Sequence, residues 1–592
     1  MTDRQTDRQT GELTGYPSID RPWLKYYRIR PEEIAYPNKT LYQFVWDNNK
    51  DHPKDIVFDY FGRKINYQTF FDEVEKTARA LLAMGIKAGD IVTIMSMHTP
   101  ETIYTMYGLN YIGAAANFVY PTLTEKWLLQ TIENTGSKAL FILDAVLEKN
   151  AGIAKKVTIP IIVLKVEESM PLSVKIGYRL KKKKSDVTGT DQGNIDYQSF
   201  LEKGQSKQLT APASDSAALA VIVYTSGTTG EPKGVSLSSD CINNMAIQDI
   251  NGTVEAMRGE TCLLILPPFI GFGVTQIHIL VSAGIVSILQ IVLEAETIID
   301  RLFKDRPYVF LTGPALVSAF LNHKPGNLSN LKYFIGGGGA ITGQQTAQIN
   351  ELLAKCHSTA TYSNGYGMTE ASSLLCASAN EISKPGSVGI PILDTVVKIV
   401  DPDTGKELTY GETGELQFHC PHLMMGYYKN KEATDEIIYT DPDGKKWIRT
   451  GDLGTVDEDG FVFITGRMKR IYVTRSKDNM VLKLFPQHME EVLMEVEEIA
   501  ECGVVVSEEK KRIHIGIAFV APKDWSRFKD GTKQEALRKK LFAHARANLP
   551  EHMWPAEIHI IEKMPVTASG KIDYRELERM YQNEKPDTEL IV

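Results

Sequence analysis

The run Ala218–Val235, ALAVIVYTSGTTGEPKGV, changes character after its seventh residue. The first seven residues are all hydrophobic and rich in valine and isoleucine, the composition of a strand buried on both faces. The eleven that follow hold four Ser/Thr hydroxyls, three glycines, one proline and one lysine, with Glu231 as the only carboxylate. Glycines let backbone N–H groups come close to a ligand, the hydroxyls donate further bonds, and Lys233 adds a cation. A strand that delivers such a loop reads as a polyphosphate cradle in an α/β sheet; the competing reading is a Ser/Thr/Gly turn with no ligand.

Three familiar loops do not fit. A Walker A loop needs G-x-x-x-x-G-K-[ST], whereas Lys233 lies between Pro232 and Gly234. A nucleophile elbow needs G-x-S-x-G, and Ser226 has Tyr224 two residues before it. A complete G-x-G-x-x-G occurs nowhere, GGGGAITG from Gly336 included.

Around this run, apolar stretches such as DIVTIMSM from Asp90, ALFILDA and IPIIVLKV alternate with helical patterns such as FFDEVEKTARALLAMG from Phe70. Strands alternating with helices predict a largely parallel α/β sheet. Residues 170–214 interrupt the rhythm: an apolar and aromatic stretch runs into the lysines Lys181–Lys184 and then a polar segment. It reads as a surface insertion, either a basic amphipathic contact with an anionic membrane or a solvated excursion between strands. After Ile390, DPDTGKEL, GETGELQF and DEDGFVFITG predict hairpins of a β-rich module. Beyond Arg467, charged helices interspersed with strands predict a small α+β domain. The polar repeat in residues 1–21 predicts a disordered tail.

The 592 residues exceed what one core organises, and 43% hydrophobic with 24% charged residues is an ordinary globular balance. A net charge of −8 argues against nucleic acid as the main partner. Six scattered cysteines without a C-x-x-C pair indicate neither a disulfide framework nor a zinc knuckle and fit a reducing cytoplasm. His419, Cys420 and His422 sit close in HCPH but lack a second ligand group at zinc spacing.

TSGTTGEPKG resembles the phosphate loop of the acyl-adenylate-forming superfamily, and further elements follow in that family's order: GGGGA, NGYGMTE, GSVGIP, GELQF, MMGYYKNKEAT, RTGDLG, GRMKR and PVTASGKID. The opening RPWLKYY and the stretch VYPTLTEKWLLQTIENTGSKALF are most similar to the long-chain fatty acyl-CoA synthetase branch. The resemblance implies a large N-terminal domain, residues 22–466, of two α/β sheet subdomains plus a β-barrel-like module, and a small mobile α+β domain, residues 467–592.

It also implies a chemistry. An acyl adenylate forms when a carboxylate meets the α-phosphate of ATP, two anions that repel, so the catalyst must neutralise charge and align groups. In the family's pattern Thr225, Ser226, Gly227, Thr228, Thr229, Gly230 and Lys233 hold the β- and γ-phosphates. Thr369 touches the α-phosphate, and Glu370 with Thr225 carries Mg²⁺ through hard oxygen donors. Gly338, Gly339, Ala340, Asn364, Gly365 and Tyr366 form the adenine slot, Asp452 accepts from the ribose hydroxyls, and Arg467 supports ribose or phosphate. Lys571 bridges carboxylate and α-phosphate. Phe269, Ile270, Gly271, Phe272 and Gly273 line the acid pocket; no acidic residue among them meets a substrate ammonium, so an apolar acid is expected. The two glycines either leave room for a longer chain or serve a tight turn.

The family's C-terminal domain rotates between adenylation and thioester formation at a pivot that falls on Lys469. The loop after it, through Phe485, is longer than the family pattern and lacks the glycine that borders the pantetheine tunnel. The acyl group therefore passes either to CoA or to a carrier-protein pantetheine, with a non-catalytic acyl or nucleotide sensor as a third reading. The sequence leaves the oligomeric state open.

Overall fold

A computed structural model describes residues 13–584 except 151, 182–192, 226–231, 253–256, 293, 339–340, 342, 380, 471, 476–480, 510–512 and 568–570. The continuous apolar runs become strands that sheet neighbours and helices cover on both faces. Ile91–Met95, Leu140–Leu143 and Ile161–Leu164 bury every residue, as all-parallel packing requires. They lie in an eight-stranded sheet whose parallel part runs Leu219–Tyr224, Ala115–Phe118, Ile91–Met95, Leu140–Leu143, Ile161–Leu164 and Ile195–Asp196. Gly234–Ser238 and Gly426–Tyr427 extend its other edge in antiparallel sense.

A nine-stranded sheet stands beside it. Its parallel centre is Tyr362–Tyr366, Tyr333–Gly337, Val309–Thr312, Thr261–Leu264, Val286–Leu289 and Ile56–Tyr60, with antiparallel strands at each end. One hydrophobic core includes residues of both sheets, Phe58 and Leu264 together with Ile94 and Phe141. The helix Pro100–Tyr111 contributes to that core and is buried at all twelve residues. The helix Gly271–Ala283 crosses nearby and places His278 between the Tyr107 hydroxyl, 2.9 Å away, and Asn243, 2.7 Å away.

The β-rich module is a five-stranded antiparallel sheet. Val396–Val400, Gly414–His419, Lys446–Val456 and Ile438–Thr440 follow in that order, and Val462–Arg467 pairs with Lys446–Val456 through the DEDG turn. The C-terminal unit is α+β, as its mixed pattern predicts. The strands Ile499–Glu509, Ile513–Pro522 and Glu557–Ile560 carry Pro486–Met494 and Gly531–Asn548 on one face and Tyr574–Glu584 on the other.

Two expectations need correction. The disordered tail does not extend to residue 21: Pro17–Asp20 is a helical turn docked on the antiparallel sheet. Asp20 accepts from the Tyr410 hydroxyl at 3.0 Å, and Trp23 is fully buried beside Phe461 and Val462. Hydrogen bonds in this segment come from Thr14 and Ser18, residues whose polarity mimics disorder in a sequence scan. Nor is 170–214 an insertion throughout. Ile195–Asp196 closes the edge of the eight-stranded sheet, and Tyr197–Lys203 sinks Tyr197 and Phe200 into the core.

Candidate active site

The strand Tyr362–Tyr366 and the 3₁₀ turn Thr369–Ala371 that follows it carry five expected residues, Asn364, Gly365, Tyr366, Thr369 and Glu370. The Tyr366 hydroxyl donates to Asp452 Oδ2 at 2.6 Å, and Arg467 Nε donates to Asp452 Oδ1 at 2.9 Å. Asp452 and Arg467 face each other directly across the antiparallel pair of the β-rich module. Asp452 is thus buried with both carboxylate oxygens engaged, the condition for keeping its charge away from water. Burial, then the Asp452 carboxylate, holds the Tyr366 phenol well above its ordinary range, so it stays a donor.

Glu370 is buried one turn away. Its Oε1 accepts from the Tyr427 hydroxyl at 2.7 Å, and its carbonyl accepts from Met424 N–H at 2.8 Å. Tyr427 lies opposite Val235 on the strand that follows the Gly-rich loop. The Lys233 ammonium stands 4.9 Å from the centroid of the Tyr427 ring, and the Thr225 N–H closes the loop's base on Lys233 O at 3.1 Å. The single side chain of Tyr427 therefore joins the loop's lysine to the buried carboxylate. Tyr427 stands in MMGYYKNKEAT, and its part in the site is visible only in the strand pairing.

Glu370 is bonded here by a neutral phenol, and its buried carboxylate is a hard oxygen donor of the kind Mg²⁺ takes. Ser226, Gly227, Thr228, Thr229, Gly230, Gly339 and Ala340 lie outside the described residues. Gly338 is described, with φ of 82° and open space where a side chain would project. Asn364 is pinned by Ser378, whose Oγ accepts from Asn364 N–H at 2.7 Å.

Lys571 enters from the C-terminal domain. Its backbone is clamped by Thr567, whose N–H donates to Lys571 O at 2.7 Å. The side chain keeps an exposed face, yet protein crowds it enough that desolvation, followed by the Arg467 guanidinium, pushes its pKa below the ordinary lysine value; Asp452 and Glu370 pull it partly back. Those three large-domain residues are the charges that bias Lys571.

The wall expected for the acid adjoins Thr369. A Cβ on Gly271 would lie 2.7 Å from Thr369 Cγ2, and one on Gly273 would lie 1.8 Å from Pro267 O. Both glycines serve close packing, and the room for a longer chain that they might have left is already filled. Phe269 is buried with its ring 4.9 Å from that of Tyr120. Phe272 reaches Gly337, where an added Cβ would sit 4.0 Å from the ring, and Ile270 caps the helix without a side-chain bond. Behind the wall His98, missed from sequence, holds Leu266 O with Nε2 at 2.5 Å. Burial lowers its pKa to about 4, so the ring is neutral. The HCPH histidines are spent on carbonyls: His419 on Lys446 O and His422 on Leu374 O.

The chain matches the family model described as AMP-binding enzyme over residues 45–428, and that of the AMP-binding enzyme C-terminal domain over residues 488–571. It belongs to the AMP-binding enzymes. A long-chain-fatty-acid–CoA ligase of Bacillus subtilis (strain 168) is 28% identical to it over 94% of this chain and 97% of that protein. A probable 4-coumarate–CoA ligase 1 of Dictyostelium discoideum is 26% identical over 92% and 96%. The crystal structure of the anthranilate CoA ligase AuaEII in complex with anthranoyl-AMP shares the fold, with a TM-score of 0.76, 19% identity and coverage of 93% and 99%. This AMP-binding enzyme is an ATP-dependent ligase that activates a carboxylic acid as its acyl adenylate.

In this AMP-binding enzyme the handover between domains is sharp. Arg467 bonds Asp452 in the large domain, whereas Arg470, three residues on, is half-buried in the small one. Glu490 accepts from Arg470 Nη2 at 2.7 Å and from Val504 N–H at 2.7 Å, and the Arg470 guanidinium lies 4.0 Å from the Tyr574 ring centroid. Lys469 sits between them in the turn Met468–Arg470, its side chain outside the described residues. The long segment after it is a hairpin, Tyr472–Arg475 against Val481–Leu484. It leans on the strand Ile513–Pro522, where the Thr474 hydroxyl donates to His514 O at 2.8 Å.

Proposed function

We propose that the enzyme converts an apolar carboxylic acid, fatty or aryl, to its acyl adenylate and then to the CoA thioester. The observation that carries this reading is the Tyr366–Asp452–Arg467 chain beside the buried Glu370, with a C-terminal lysine, Lys571, near enough for Arg467, Asp452 and Glu370 to bias its charge. A carboxylate oxygen of the acid attacks the α-phosphorus, and the bond to the β-phosphate oxygen breaks to release pyrophosphate. Lys571 bridges the two anions in this step, Thr369, packed against Gly271, positions the α-phosphate, and Lys233 with the Gly-rich loop retains the leaving group. Glu370 and Thr225 would hold Mg²⁺, which supplies charge neutralisation on the phosphates. Asp452 accepts from the ribose hydroxyls, with Arg467 fixing the carboxylate.

The CoA thiol then attacks the acyl carbonyl, its proton passes to solvent, and AMP leaves. Phe269, Ile270 and Phe272 supply an apolar wall without an acid, which supports a substrate lacking an α-ammonium group. The paired strands Tyr472–Arg475 and Val481–Leu484, in the segment where the family's pantetheine-binding loop is expected, support a second acceptor, the pantetheine of a carrier protein. Six cysteines, all buried thiols, fit a reducing compartment, and we place the enzyme in the cytoplasm.

ATP–pyrophosphate exchange across a panel of fatty, aryl and amino acids tests the first step. Exchange driven by amino acids alone would reject this substrate class. Mass detection of the product with CoA and with a phosphopantetheinylated carrier protein then separates the two acceptors.

A further inference from the structure

The helix Leu172–Lys181, LSVKIGYRLK, is apolar on two opposite sides. At about 100° per residue, Val174 and Tyr178 share one direction, and Leu172, Ile176 and Leu180 cluster around the opposite one. Val174 and Tyr178 are the residues that pack on the core shared by the two large sheets. Leu172, Ile176 and Leu180 face outward, 74%, 52% and 82% exposed, and the last of these is the most exposed large hydrophobic side chain described. Three aliphatic side chains in one row, each standing in water, form a continuous stripe, in contrast to the scattered exposed apolar residues of an ordinary surface.

The charge beside the stripe has one sign. Pro171–Lys184 contains six cations and no acid. Lys175 and Arg179 flank one side of the stripe, and Lys181 ends the helix. Lys175 Nζ donates to Glu168 O at 3.5 Å, and Arg179, 59% exposed at its side chain, pairs with Glu167 at 3.4 Å. Their long stems can lie along the aliphatic row while the charged ends stay in a polar layer. In sequence Lys181 is followed by Lys182, Lys183 and Lys184, which lie outside the described residues. An outward aliphatic row beside cations is the pattern of a helix that lies in the plane of a bilayer interface, its row among the upper acyl chains and its cations among phosphates. A second copy of the chain would set these cations against their like, which disfavours self-association through this face.

We propose that Leu172–Lys181 docks the enzyme peripherally on an anionic phospholipid bilayer, whichever acid the active site takes. Co-sedimentation of the full-length enzyme with vesicles of phosphatidylcholine alone, and of phosphatidylcholine with one-third phosphatidylglycerol, tests it. The wild-type enzyme should pellet with the anionic vesicles and be released by raised salt. The triple variant Leu172→Ser, Ile176→Ser, Leu180→Ser should bind them about tenfold or more weakly, with unchanged thermal midpoint and unchanged turnover of a short water-soluble acid. If the triple variant folds poorly, Leu180→Ser alone should still weaken pelleting severalfold. Absence of wild-type pelleting, equal pelleting by wild type and variant, or a wild-type dimer that the variant loses in light scattering would each overturn the proposal.

Discussion

Asp452 shows how a single buried carboxylate can be fixed in place by its neighbours. Tyr366 and Arg467 saturate it from two different sheets, so its position reports whether both are in place. Lys571 is a cation whose environment disfavours its charge. Lys571→Ala should slow acid-dependent pyrophosphate exchange about 10²–10³-fold, while thioester formation from supplied acyl adenylate is largely retained. Because its pKa is lowered, Lys571 is charged below that pKa and neutral above it. The alkaline fall of kcat/KM for adenylation should therefore begin below the ordinary lysine range, and Lys571→Arg should move that limb upward. Gly271 makes a purely steric prediction. Gly271→Ala puts a methyl 2.7 Å from Thr369 Cγ2 and should lower kcat about 10–100-fold. Gly466→Ala, with nothing within 4 Å, should leave it unchanged.

At the scale of elements, the Arg470–Glu490 pair anchors the first turn of the small domain to its sheet. Removing one partner leaves a largely buried charge, so Glu490→Gln should destabilise that domain by about 3 kcal/mol, read as a separate earlier transition in urea. The large domain should keep its own midpoint. Elements of this kind divide by how local their cause is. The parallel strands were legible because burial on both faces demands uninterrupted apolar runs, and the turn after Val456 because DEDG is turn chemistry. The helix Tyr197–Lys203 was not, because Tyr197 and Phe200 in a polar stretch give no period until Thr77, whose hydroxyl lies 2.8 Å from that of Tyr197, lies against them. The site divides the same way. Lys233, Glu370, Asp452 and Lys571 sit in motifs readable residue by residue, whereas Tyr427 and His98 act through partners 57 and 168 positions away.

For the molecule as a whole, three buried histidines set the acid limit. Burial lowers His98 to about 4 and His278 and His422 to about 3, so the fold holds them neutral. The unfolded chain takes up their protons as pH falls through about 6.5 and the fold does not. Each therefore subtracts about 1.4 kcal/mol per pH unit below that point until its own folded pKa is reached. Glu101 and Asp249, whose carboxyls burial raises to about 7 and about 6, act the other way, so stability measured by urea titration should fall only moderately below about pH 6, and His278→Gln should flatten the slope.

The nine-stranded sheet has a consequence in time. Phe58 pairs with Ser287, so the strand Ile56–Tyr60 leaves the ribosome with its parallel partner still 229 residues away (287 − 58). At ordinary elongation rates that interval is roughly 10–50 s. Until then its antiparallel neighbour Arg63–Asn66 is the only strand it can pair with, and its other edge stays open. A nascent chain stalled before Thr261 should be captured by holdase chaperones or aggregate, whereas one released after Tyr366 has every parallel strand of that sheet within reach.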